Sequence, residues 1–451
     1  MDQREEKYAR LTTQPVGRLI CSLAVPCIVS MMVTAFYNLA DTFFVGRLNS
    51  NSATAAVGVA FSLMAVIQAI GFFFGHGSGN FISRELGKQS SESASKMAAT
   101  GFFFALGAGC VLLLLGEIFL GPLAKLLGST DTILPYAKSY IRIILLGAPW
   151  MTASLVLNNQ LRFQGSAVYG MVGISAGAVL NIGLDPLLIF VFHMGIAGAA
   201  IATIFSQLVS FCLLLVGCAR GGNLRIRPRL VQLKKEYLME IVRGGLPSLS
   251  RQGLASVAAI VLNHAAGVYG DAAIAAMTVV SRAMMTAASA LIGFGQGFQP
   301  VCGFNYGANL WGRVRQGFWF CVKTSTGFLL AMSVLGWIFA PEIIALFRDD
   351  PEVIAYGATA LRLQCLTFAL NGWVMISNMM MQTINRTGPA TFLAMARQGI
   401  FLIPLLLILP PALNMLGVQI AQPISDIITF LCAIPLQRKV LRELADAPGG
   451  R

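Results

Sequence analysis

Apolar runs long enough to cross a bilayer recur twelve times along this chain, and that recurrence constrains the fold more than any other feature. They occupy 16–46, 53–80, 95–122, 132–158, 168–193, 195–219, 239–268, 272–303, 314–340, 352–383, 389–412 and 414–437. A helix needs about 20 apolar residues to span the hydrocarbon core, and each run meets that length. Charged residues make up 11% of the chain and hydrophobic residues 56%, where a soluble domain carries about a quarter charged. Backbone groups in lipid must be satisfied within the protein, so only helices or closed barrels qualify. A barrel would show short segments of alternating polarity, and none occurs. The expected fold is an all-α polytopic membrane protein with twelve transmembrane helices.

The formal charge of +13 points to nucleic acid only until its placement is considered. Arg220, Arg225, Arg227, Arg229, Lys234, Lys235 and Arg243 crowd the connection between the sixth and seventh runs. Smaller basic sets at Arg84, Lys88 and Lys96, at Arg313 and Arg315, and at Arg438, Lys439 and Arg442 fall on the same side if every run crosses. Positive charge marks the cytoplasmic side. A multi-pass protein of the cell (inner) membrane with both termini cytoplasmic is expected, with the 347–352 loop external and no nucleic-acid partner. The mixed-sign opening and the full-length first run argue against a cleaved signal peptide. Nine scattered cysteines lack metal-ligand spacing and read as small core residues.

The basic connection divides two halves that echo each other at an offset near 220 residues. Pro26 in "LAVPCIVSMM" answers Pro247 in "GGLPSLSRQG", "ATAAVGV" answers "AIAAMTV", and "AIGFFFG" answers "LIGFGQG". Internal repeats of this kind suit a transporter built from two bundles. The expected division is a first six-helix bundle over 1–219, a basic cytoplasmic linker over 220–238 and a second bundle over 239–451. Gly71, Gly75 and Gly79, and Gly293 and Gly297, recur at spacings of four, which favours close helix packing over a phosphate loop. No H-E-x-x-H, Walker A or nucleophile-elbow sequence appears, so neither enzyme chemistry, ATP hydrolysis nor a bound cofactor is expected.

Asp41 in "YNLADTFFVG" and Asp185 in "NIGLDPLLIF" interrupt apolar runs. An acidic residue near mid-membrane costs roughly 2.5–3.5 kcal/mol on insertion scales and usually marks function. Thr203 and Gln207, one turn apart on the sixth run, reach the same outer half of the membrane. Asn181 and Asp185 are i and i+4, and Asn38 and Asp41 are i and i+3, so each pair shares a helix face. Pro186 lacks the N–H that would bond the carbonyl of Ile182. Two carboxylates, an amide, a hydroxyl and a freed carbonyl form a hard-oxygen set that suits Na⁺ or a proton, not a transition metal.

The segments "PCIVSMMVTAFYNLADTFFVGRL", "VLNIGLDPLLIF", "GIAGAAIATIFSQ", "GFGQGFQPVCGFNYGA" and "RQGIFLIPLLLILP" resemble the multidrug and toxic compound extrusion (MATE) transporters. The resemblance runs over nearly the whole chain and is closest to MepA-like and DinF-like bacterial members. It implies two pseudo-symmetric six-helix bundles forming a V, and cation-driven export. It also implies a cation site, with possible Na⁺ binding, at Asp41, Asn181, Asp185 and Thr203. Asn38 and Gln207 are possible supporting residues. The second-bundle acids of the NorM branch have no counterpart on the seventh helix, and Asn371 stands on the tenth.

Arg397 and Asp426 lie at similar depth on consecutive helices, which suggests an ion pair with a structural or gating role. Arg282, Lys323 and Arg362 are also deep, with no partner legible in the sequence. The methionines at 31, 32, 284, 285, 375 and 379–381 could line an adaptable cavity, although for each one packing is the simpler role. His76, His193 and His264 are isolated and read as structural. The function expected is a Na⁺- or H⁺-coupled antiporter exporting organic, often cationic, amphipathic compounds by alternating access. The alternatives are a lipid-linked saccharide flippase, or a membrane-embedded enzyme using Asp41 and Asp185. The partners expected are small organic molecules and the lipid bilayer; the oligomeric state is open, with a monomer the simplest arrangement.

Overall fold

A computed structural model describes residues 3–47 and 51–447, and among the described residues there is no strand. Among the described residues, ten helices are long and apolar enough to cross a membrane. Two more, α13 (Pro351–Phe368) and α14 (Leu370–Thr383), make one span that bends by 56° at its break. The remaining expected run, the seventh, falls in α9 (Lys235–Gly267), which is long but less apolar because Arg243, Arg251, Asn263 and His264 interrupt it.

The chain forms two compact units. The first runs to Thr13 and then from Val25 to Gly245; the second takes Gln14–Ala24 and everything from Leu246 onward. The expected division at 219 and 239 is therefore displaced. The start of α2 (Val16–Gly46) packs in the second unit and the start of α9 packs in the first, the changeovers falling just before Pro26 and Pro247. Glycines make room for both exchanges. A Cβ on Gly297 of α10 (Asp271–Gly307) would stand 2.5 Å from Ala24 Cα. One on Gly77 of α3 (Asn51–Gly87) would collide with the carbonyl of Ile241.

The offset of 220 is kept by the helix boundaries themselves. In the first unit α4 (Ser91–Ile118), α7 (Ala167–Pro186) and α8 (Gly195–Ala219) begin at 91, 167 and 195. In the second, α11 (Trp311–Ile338), α15 (Thr387–Met395) and α17 (Met415–Asp446) begin at 311, 387 and 415. Each unit has its own apolar core. Ile67, Ile141, Ile144 and Leu145 centre the first, with Ile141 on α6 (Leu134–Phe163), and Met277, Ile344, Leu361 and Val418 centre the second.

Two spans break regular α geometry. After Pro186 the chain winds through a π turn, Leu187–Val191, and Phe192 N–H reaches back five residues to the Leu187 carbonyl at 3.0 Å. A π turn also occurs at Ala396–Ile400, between α15 and α16 (Leu402–Leu413), with Phe401 N–H bonding Ala396 O at 3.1 Å. Such single turns often mark functional positions in helices.

Before the first span lies α1 (Gln3–Thr13). It docks on two loops of the first unit. Lys7 Nζ donates to Ser166 Oγ at 2.8 Å and to Asn223 Oδ1 at 2.7 Å, and Leu11 is 1% exposed. Gly165 (φ +77°) and Gly222 (φ +66°) occupy the left-handed region where these loops turn under the helix.

Candidate ion-coupling site in the first unit

Asp41 on α2, Asn181 and Asp185 on α7, and Thr203 on α8 are brought together, each 3% exposed or less. Asn181 orients Asp185. With its amide nitrogen toward the carboxylate it donates to Asp185 Oδ2 at 3.0 Å, while its oxygen accepts Thr203 N–H at 3.2 Å. Thr203 Oγ1 donates back to Ala199 O at 3.0 Å. The two carboxyl groups lie within electrostatic reach of each other. Asp41 Oδ1 and Asp185 Oδ1 are both buried and have no hydrogen-bond partner among the described residues.

Buried polar oxygens without partners are costly, and buried carboxylates more so. Two carboxylates confined to one low-dielectric pocket cannot both stay ionised without a compensating cation. The orphaned Oδ1 atoms, with the Thr203 hydroxyl and the Asn181 amide beside them, are hard-oxygen donors of the kind that accept Na⁺ or a proton.

A cavity of ≈ 90 Å³ adjoins the site. That is room for several waters. Asn38, Asn181, Thr203 and Gln207 border it, and the two aspartates do not line it themselves. The buried hydroxyls of Ser154, Ser206 and Ser210, which have no partner among the described residues, also line it. Met64 and Met151 are the methionines at its wall, whereas Met379, Met380 and Met381 are buried in the second unit.

Two residues were not legible as part of the site. Tyr37 and Tyr140, 7% and 1% exposed, bring their hydroxyls to Thr203 and into the field of both aspartates. Tyr37 stands one turn before Asp41 on the same face, a spacing that could have found it. Tyr140 on α6 carries no such signal.

In the second unit Arg397 Nε donates to Asp426 Oδ1 at 2.8 Å. The carboxylate also accepts from Gln422 Nε2 at 2.9 Å, Thr367 Oγ1 at 3.3 Å and Asn371 Nδ2 at 3.4 Å. The acid that faces Asn371 is thus supplied by α17. Arg362 Nε donates to the Trp337 carbonyl at 3.2 Å, and Arg282 and Lys323 are exposed. Arg251, which the sequence did not single out, donates to Asn378 Oδ1 at 3.3 Å. His76 is buried against Arg162, whose Nη2 lies 3.2 Å from Nε2.

The MatE family profile matches this chain twice, over residues 26–187 and 247–408, once in each half of the repeat. The chain belongs to the MatE family. It is a transporter of the multidrug-efflux class and not an enzyme. Among relatives of this MatE protein, the multidrug export protein MepA of Staphylococcus aureus strain MSSA476 is 24% identical over 432 residues, covering 96% of this chain and 95% of the relative. MepA of Staphylococcus saprophyticus is 25% identical over 432 residues with the same coverage. A MATE crystal structure in complex with MaL6 superposes with a TM-score of 0.91 at 25% identity, covering 98% of this chain and 99% of the other. An outward-facing multidrug resistance MATE transporter of the MOP superfamily gives 0.90 at 25% identity, with 97% and 99% covered.

Proposed function

We propose that this MatE protein is a cation-coupled secondary antiporter, with Asp41, Asn181, Asp185 and Thr203 as its coupling site. One observation carries the reading: two neighbouring buried carboxylates each keep an oxygen without a partner among the described residues. Na⁺ or H⁺ would be held by Asp41 and Asp185 with the Thr203 hydroxyl. Asn181 fixes the Asp185 carboxylate, and Asn38 and Gln207 edge the adjoining cavity. Binding the ion removes the charge penalty of the pocket, so ion occupancy and substrate occupancy can favour different conformations. The exported compounds are organic amphiphiles, often cationic. The protein would work as a monomer in the cell (inner) membrane, with the basic 220–238 connection and both termini cytoplasmic; charge asymmetry supports that orientation.

The test is reconstitution in proteoliposomes with Na⁺ and pH gradients imposed independently. Efflux of a fluorescent dye should follow one of the two gradients and stop when it is collapsed. Efflux that continues with neither gradient present would rule out coupling.

A further inference from the structure

The internal repeat places Arg397 and Asp426 opposite Gly177 and Ser206, 220 residues earlier. The packing agrees with that correspondence. A Cβ on Gly177 would lie 3.0 Å from the Ser206 carbonyl, so α7 crosses α8 there as α15 and its π turn cross α17 at the ion pair. In the first unit Gly177 and Ser206 line the cavity. The second unit carries a charged pair at those same two stations.

Asp426 has no oxygen to spare. Its Oδ1 accepts from Arg397 and Gln422, its Oδ2 from Thr367 and Asn371, and its side chain is 3% exposed. Arg397 differs. Among the described residues only its Nε is engaged and its Nη1 and Nη2 have no partner, and its side chain is 27% exposed. Its backbone is fixed as well, because Ser425 Oγ donates to the Arg397 carbonyl at 2.7 Å. A buried carboxylate thus aims a guanidinium whose outer edge is unsatisfied, near the middle of the span Thr387–Leu413. Donors at that depth cannot face lipid unpaired; they face water or a ligand.

The charge on the second unit's long helices is mainly of one sign. Arg251 on α9, Arg282 on α10 and Lys323 on α11 are basic, and Asp426 is the only acid in the central turns of its described spans. Arg282 is exposed on α10 beside Thr278, Ser281 and Thr286, with Met285 exposed on the same face. The first unit has the reverse sign, Asp41 and Asp185, at its site.

We infer that the free Nη edge of Arg397, held in place by Asp426, is an anion subsite for the exported compound. The ligand class is an organic amphiphile, not a phospholipid, bearing a carboxylate or sulfonate group. The two parallel N–H donors of a guanidinium edge match such groups in a bidentate fork. This assignment deepens the export reading but does not depend on the coupling ion.

The experiment measures binding with no gradient present, using the full chain in phosphatidylcholine nanodiscs and two fluorescent probes of one size, dansylglycine and its uncharged amide. The wild type is expected to bind the acid about tenfold more tightly than the amide, a difference of about 1.4 kcal/mol. Arg397→Gln, which can still donate to Asp426, should lose that preference while keeping amide binding, and Arg397→Lys should retain part of it. Equal binding of the two probes by the wild type, or an undiminished preference in Arg397→Gln, overturns the inference. So does displacement of dansylglycine by added phosphatidylglycerol at equal surface concentration, because the occupant would then be lipid. The measurement uses neither an ion gradient nor efflux, so the subsite can fail while coupled efflux holds and can hold while coupling fails, and the two failures remain distinguishable.

Discussion

Gly77 and Gly297 stand 220 residues apart and perform the same task in different units. Each leaves out the one atom that would block a neighbouring backbone, that of Ile241 against Gly77 and that of Ala24 against Gly297. The obstructing atoms are backbone, which cannot swing aside as a flexible side chain can. Gly297→Ala should therefore lower stability by about 1–3 kcal/mol, the usual range for overpacking a dense interior. Gly327→Ala is the control, since its Cβ would point into open space; the added methyl should leave stability unchanged or raise it through helix propensity. Thermal unfolding followed by size-exclusion fluorescence compares the two. Equal midpoints for both variants would refute the packing role.

The repeat was legible because short strings recur at a nearly constant offset, and the spans were legible because lipid demands long apolar runs. The exchange of helix starts was not legible. Which unit residues 14–24 join is decided by tertiary contacts to Gly297, Gly317 and Phe320, and no local pattern records such contacts. The bend between α13 and α14 was hidden for a related reason: composition stays apolar across Ala369 while the backbone turns. At the site, Asp41, Asn181, Asp185 and Thr203 could be read because polar residues are expensive in lipid. Tyr140 could not, because a tyrosine in an apolar run looks like packing until its neighbours are known.

The coupling site gives a charge-specific prediction. Asp185→Asn keeps nearly the same shape and can still meet the Asn181 amide, but it cannot compensate a cation. The variant should remain folded and lose gradient-driven efflux by at least about tenfold, a loss of about 1.4 kcal/mol. Asp41→Asn should behave alike. The double variant should be little worse than either single, because members of one unit are non-additive. Proteoliposome efflux under an imposed gradient decides it, and wild-type efflux from Asp185→Asn would make the aspartate structural.

The second-unit pair yields a stability cycle. Arg397→Ala removes one donor from a buried carboxylate that keeps three others. It should cost ~2–4 kcal/mol, below the range for a fully buried pair because Arg397 is 27% exposed. Arg397→Ala combined with Asp426→Ala should cost less than the single change, since no lone charge is left behind. Additive losses in the double-mutant cycle would mean that the two side chains act independently.

The docking of α1 should depend on pH through Lys7. Burial, then the charges of Arg4 and Arg10, lower the Lys7 pKa from 10.5 to about 8. Its docked state therefore prefers the neutral amine, which still reaches Ser166 and Asn223. Below pH 8 both docked and released forms are protonated, and docking bears the full cost of a buried cation. Between pH 8 and 10.5 the released form binds more protons than the docked form, so docking strengthens as pH rises. Above 10.5 the gain is complete; it is on the order of 2 kcal/mol after allowance for partial exposure. Hydrogen exchange of the α1 amides, corrected for the intrinsic pH dependence, should show protection increasing from pH 8 to pH 10. Lys7→Met removes the titrating group but leaves the Ser166–Asn223 hydrogen bond of 2.6 Å in place, so its protection should be flat over that range. Protection that is flat in the wild type, or that rises equally in Lys7→Met, would show that another group controls the helix.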